Sequence, residues 1–64
     1  MMVVVGEELW YYEVEFEQLV GGVWRGYEYS KENAERRVKG IIEAVKAVYP
    51  KLKEPRVIIR KVEW

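Results

Sequence analysis

Trp10-Tyr11-Tyr12-Glu13-Val14-Glu15-Phe16-Glu17 alternates at every step. Successive strand side chains point to opposite faces, so Trp10, Tyr12, Val14 and Phe16 fall on one side of an extended backbone. Tyr11, Glu13, Glu15 and Glu17 fall on the other. This is the pattern of a half-buried strand with its apolar face against a core. Such a strand needs partners and a cover, and the flanking residues say what they are.

Immediately downstream, Leu19-Val20-Gly21-Gly22-Val23-Trp24 sets two glycines between apolar residues, which predicts a two-residue hairpin turn with positive φ. Pairing Val20 with Val23 puts Phe16 opposite Tyr27 and Val14 opposite Tyr29 on the inner face. It puts Leu19 opposite Trp24 on the outer face, and Glu15 opposite Glu28, a repulsive pair that needs a neighbouring cation. Next, Ser30 offers a hydroxyl for an N-cap. Ala34, Val38, Ile41, Ile42, Val45, Val48 and Tyr49 then recur at helical spacing, predicting a helix over 31–49. Its far face offers Glu32 to Arg36, Glu35 to Lys39 and Lys39 to Glu43 as i,i+4 ion pairs, and Pro50 stops it. A β-branched segment, Arg56 to Trp64, follows as the last strand. Val57 and Ile59 suggest one facing for it; Ile58, Val62 and Trp64 suggest the other. A bulge near Arg60-Lys61 would reconcile them.

The fold class that follows is α+β. We expect β-β-α-β, a three-stranded, mostly antiparallel sheet in the order 2-1-3, with one amphipathic helix packed on one face. The 64 residues make a single domain, with residues 1–8 an N-terminal arm or an extra edge strand. With the first strand central, the last lies antiparallel beside it and brings Arg56, Arg60 or Lys61 near Glu13, Glu15 and Glu17. The helix stripe should pack on Tyr12, Val14, Phe16, Tyr27 and Tyr29.

A chain this short buries only about 60% of its unfolded surface. It has no cysteine, so no disulfide or thiolate zinc site can staple it. Dense packing, ion pairs and oligomerisation remain. Asp, Thr, His and Cys are all absent, while Glu, Lys and Arg supply 34% of residues. That bias matches the hyperthermophile pattern, so the expected source is a thermophile or one of its viruses or plasmids. The apolar run Met1–Val5 is too short for a signal peptide or a membrane span, and the expected location is the cytoplasm.

General acid–base and nucleophilic catalysis usually recruit His, Cys or Asp, and the chain has none. Ser30 has no His to activate it. The Glu13, Glu15, Glu17 ladder reads as a solvated strand face, and Gly21-Gly22 matches no phosphate-binding loop. No enzyme activity, cofactor, metal site, small-molecule substrate or membrane partner is expected. Exposed apolar patches mark interfaces, so Tyr11, Leu19 and Trp24 on the uncovered face, with Val3, Val4 and Val5, are the candidate protein interface. Gly40, Ala44 and Ala47 form a strip of small residues that permits close approach of another element. Formal net charge is zero but uneven, and Lys51, Lys53, Arg56, Arg60 and Lys61 form the basic cluster. The expected function is a small non-enzymatic protein-interaction domain that self-associates as a homo-oligomer. The alternative is a small RNA- or DNA-binding domain that contacts nucleic acid through the basic cluster.

Overall fold

The computed structural model describes residues 8–63. The expected arm, with Val3, Val4 and Val5, therefore lies outside the described residues apart from Glu8. The elements run β1 (Trp10–Glu15), β2 (Val23–Glu28), α1 (Lys31–Val48) and β3 (Arg56–Lys61). The sheet is antiparallel in the order β2-β1-β3, with α1 on one face, as the sequence predicts.

The core is small. Val14 of β1 and Phe16 just after it are fully buried with Val38 and Val45 of α1, and Ala34 is buried on the same helix. Tyr12, Leu19, Ile41, Ile42, Leu52 and Ile59 pack around them, partly buried. Each buried aliphatic or aromatic side chain contributes about 1.5–3 kcal/mol, so a handful of residues carries the hydrophobic stabilisation. The helix starts where Ser30 keeps extended backbone geometry and its Oγ accepts the Asn33 N–H at 3.1 Å, satisfying an otherwise orphaned donor. It ends one residue earlier than predicted, with the Tyr49 N–H closing on the Val45 carbonyl before Pro50.

The hairpin differs from the two-residue reading. β1 and β2 are joined by residues 16–22, closed by Phe16 N–H to the Gly22 carbonyl (2.8 Å) and Gly22 N–H to the Leu19 carbonyl (3.1 Å). Gly21 has φ +69, as the turn signal predicts. Gly22 is buried, and a Cβ there would lie 2.7 Å from Leu19 Cβ, so the second glycine is required for space rather than for a primed turn. The register follows from this wider loop: Tyr11 opposes Tyr27, Tyr12 opposes Gly26, Glu13 opposes Arg25 and Val14 opposes Trp24. The predicted Phe16–Tyr27 and Val14–Tyr29 pairs do not form. Because side chains alternate, the shift moves Trp24 to the helix side and turns Tyr27 outward.

The physical reason lies in what each register brings together. The predicted one sets Glu15 against Glu28 and strands Trp24 on the uncovered face. The observed one gives Glu13 a cation, Arg25, at 3.9 Å, and seats Trp24 edge-on against Phe16 with ring centroids 6.1 Å apart. Tyr27 and Tyr29, predicted inside, are 59% and 72% exposed, and Val48 at the end of the helical stripe is 68% exposed.

β3 pairs with β1 continuously, from Glu15↔Arg56 to Trp10↔Lys61, and Val62 N–H continues the ladder to the Leu9 carbonyl at 2.8 Å. No bulge is needed near Arg60-Lys61. Val57 and Ile59 share the helix side with Val14 and Tyr12; Arg56, Ile58 and Arg60 share the other face with Glu15, Glu13 and Tyr11. Arg56 donates to Glu15, so the last strand does answer the acidic ladder. Among the described residues the ion pairs link elements rather than successive helix turns: Arg37–Glu28, Lys46–Glu54, Arg56–Glu15 and Arg25–Glu13. The predicted i,i+4 pairs on α1 are not among them. Arg36 instead donates to Asn33 Oδ1 at 3.0 Å.

Candidate functional site

Two surfaces carry chemistry beyond packing. The first runs along the side of the molecule where β2 and α1 leave a cleft. At one end Leu19, Trp24, Ile41, Ala44, Val45, Val48 and Tyr49 line an apolar groove. At the other end Glu28, Asn33, Arg36 and Arg37 line a polar one, and Ile41 and Ala44 belong to both. The walls are low because Gly40 has no side chain and Ala44 has one carbon. A Cβ at Gly40 would meet nothing within 4 Å. Gly26 lies beneath the Tyr12 ring, where a Cβ would sit 2.7 Å from the phenol oxygen, so Tyr12 spreads across β2 toward this edge. Among the described residues no strand pairs with the outer side of β2.

The second surface is the sheet face that α1 leaves open. Its residues align in cross-strand rows: Tyr27–Tyr11–Arg60, then Arg25–Glu13–Ile58, then Val23–Glu15–Arg56. In the first row the Tyr27 and Tyr11 rings are 5.5 Å apart and tilted by 57°, and the Arg60 guanidinium lies 5.1 Å from the Tyr11 centroid. The Tyr11 hydroxyl donates to Glu13. That hydrogen bond, with burial and the Glu13 charge, raises the Tyr11 pKa above the ordinary 10.0, against the opposing pull of Arg25. Glu15 likewise raises the Arg56 pKa, first through their hydrogen bond and then through its charge. The two carboxylates at the centre of this face are thus engaged by side chains of the same face.

No protein-family model, curated protein or solved structure matches this chain.

The residues singled out from the sequence are therefore divided between surfaces. Tyr11 is on the open face as expected. Trp24 is not: it stands on the helix side, in the groove, and Leu19 joins it there from the β1–β2 loop. The basic cluster is also split. Arg56 and Arg60 are on the open face, Lys61 points to the helix side, and Lys51 and Lys53 belong to the α1–β3 connection, where Lys53 N–H donates to Gln18 Oε1 at 2.9 Å. Sequence reasoning missed Tyr27 and Arg25 as surface groups, because their facing depends on the hairpin register alone. Ile41 and Tyr49 were read as core, yet both line the groove. The described residues hold no group of three or more His, Cys, Asp or Glu that could bind a metal ion, and no helix long and apolar enough to cross a membrane.

Proposed function

We propose that the chain is a non-enzymatic interaction domain that self-associates through the β2–α1 side. The observation that carries this reading is an apolar groove beside an open strand edge. Trp24, Ile41, Val48 and Tyr49 expose apolar surface where, among the described residues, β2 also leaves backbone groups unpaired.

The occupant we assign is a second copy. A two-fold axis beside β2 pairs that strand with itself in antiparallel fashion and extends the sheet, and a self-complementary patch is what such symmetry requires. The same operation brings the two helices together over Gly40 and Ala44, whose small side chains allow close approach. The chain's formal net charge of zero opposes such pairing with no long-range repulsion.

Size-exclusion chromatography with light scattering tests it. The expected mass is twice the 7.7 kDa of the chain. Ala44→Glu puts a charge into the groove at an exposed helical position, so it should return the mass to that of one chain with the circular dichroism spectrum retained. A wild-type mass of one chain across a concentration series overturns the proposal. So does an Ala44→Glu variant that still runs as a dimer.

A further inference from the structure

The open sheet face has a different chemistry from the groove. We infer that it is a stacking platform for single-stranded nucleic acid, centred on Tyr27, Tyr11 and Arg60.

Tyr27 is 59% exposed, on a face that no element of the described fold covers, and it leans on Tyr11. An exposed ring held by a second ring is a rigid, flat surface, and every nucleobase has a π-face to lay on it. Arg60, on the far strand of the same row, is held over Tyr11. Its guanidinium presents donors that match phosphate geometry. Among the described residues Arg60 makes no ion pair, whereas Arg25 and Arg56 do.

Charge decides which polymer fits. Read from the sequence, the strand carrying Tyr11 is acidic and repels phosphate. In the folded domain the observed register and β3 add Arg25, Arg56 and Arg60 to that face, against Glu13 and Glu15 in its middle and Glu17 near Arg56 at one end. The carboxylates lie on the central strand, paired within the face, and the arginines stand on the two outer strands. A single strand laid along the Tyr27–Tyr11–Arg60 row therefore meets two rings and a guanidinium, with Arg25 beside the row on β2. An aliphatic partner protein has less to gain here, since Val23 and Ile58 are the aliphatic members of these rows.

Titration of a fluorescein-labelled oligo-uridylate, an oligo-thymidylate and a DNA duplex, read by fluorescence anisotropy, tests the inference. Saturable binding of the single strands and weaker binding of the duplex are expected; the uridylate and thymidylate arms tell RNA from DNA. Tyr27→Ala should weaken binding roughly 5- to 150-fold, the range carried by one base–aromatic stack, while Tyr27→Phe should retain it. Arg60→Ala should reduce the slope of log affinity against log salt by about 0.7, the loss of one phosphate contact to a single strand. Tyr27 and Arg60 are both exposed, so these variants should melt close to wild type. No binding at low salt overturns the platform. Binding that survives Tyr27→Ala and Arg60→Ala but is lost on Lys51→Glu with Lys53→Glu overturns it in favour of the loop. Neither result bears on the groove, whose test is mass alone.

Discussion

Trp24→Ala separates the observed hairpin from the two-residue alternative, because the two registers put this ring on opposite faces. In the folded chain Trp24 is 36% exposed, shares its face with Val14 and meets Phe16 edge-on at 6.1 Å. Truncating a fully buried aromatic costs about 3–5 kcal/mol. Scaling by the two-thirds of the ring that is covered gives about 2–3 kcal/mol, of which the edge contact to Phe16 contributes about 0.5–1.5 kcal/mol. On the uncovered face the same change would fall within about 0.5 kcal/mol. The assay is urea or thermal unfolding at one low protein concentration, where dimer formation adds least, followed by circular dichroism. A loss of 2 kcal/mol is a large part of what a domain of this size holds, and it lowers the melting temperature by roughly 8–16 °C. Tyr27→Ala is the control with the opposite expectation: a loss below about 1 kcal/mol, from the contact to Tyr11. If Tyr27→Ala destabilised more than Trp24→Ala, the register argued above would be refuted.

Three further outcomes are expected. Gly26→Ala should destabilise by about 1–3 kcal/mol, because its methyl lands within 2.7 Å of the Tyr12 hydroxyl and the ring must swing out; thermal melts check it, and an increase in stability would mean that Tyr12 lies elsewhere. Gly40→Ala should stabilise the single chain by about 0.5–1 kcal/mol through helix propensity, since its Cβ enters open space. The same variant should weaken the dimer, so melting temperature and mass move in opposite senses. The Tyr11 phenol should titrate above 10.0, followed by ring-carbon NMR against pH, and Glu13→Gln should bring it back toward that value. A tyrosine pKa raised by folding gives stability that is complete below pH 10.0 and lost as pH rises through the raised value. The Tyr11-linked loss of stability at alkaline pH should therefore shrink in Glu13→Gln, because the folded and unfolded values converge.

Element identity, strand order and the central core were legible because they rest on periodicity, and periodicity is local. The alternation of Trp10 to Phe16 and the helical recurrence of Ala34, Val38 and Val45 each name a buried face without reference to anything distant. The N-cap at Ser30 and the stop at Pro50 are equally local. What failed was register. Gly21-Gly22 signals a turn near those residues, but the signal does not distinguish a two-residue turn from the last two positions of a longer loop. Val20, read as a strand residue, is fully exposed at the tip of that loop. A five-residue change in pairing sum is odd, so every side chain of β2 changed face. The better evidence was in the pairs themselves. Only one register gives Glu13 an arginine and puts Trp24 beside Val14, and these cross-strand pairs outweigh the glycine pair. The candidate sites inherited the error. Tyr11 faces as its own strand predicts, while Trp24 and Tyr27 exchange faces with the register.

The same register also explains why one small domain can offer two chemically distinct surfaces. β2 carries Trp24 and Gly26 toward the helix and Val23, Arg25 and Tyr27 away from it. Its helix-side residues lack bulk at Gly26, which lets Tyr12 spread over the strand and leaves Trp24 as the apolar wall of the groove. Its outward residues supply a ring and a guanidinium to a face whose own central strand is acidic. Exchange the phase of this strand, and the groove would lose its wall while the open face would gain Trp24 and Glu28 in place of Tyr27 and Arg25. The face would then carry three carboxylates with two arginines, and phosphate would be repelled. Placing the aromatic–arginine row outside and the tryptophan inside therefore depends on the residues of one edge strand. Because that strand is also an open edge among the described residues, pairing it with a second copy would bring the two open faces into one continuous sheet, with a Tyr27 from each chain on the same side. A single strand of nucleic acid long enough to reach both rings would then bind the dimer more tightly than either chain alone, through effective concentration rather than any new contact.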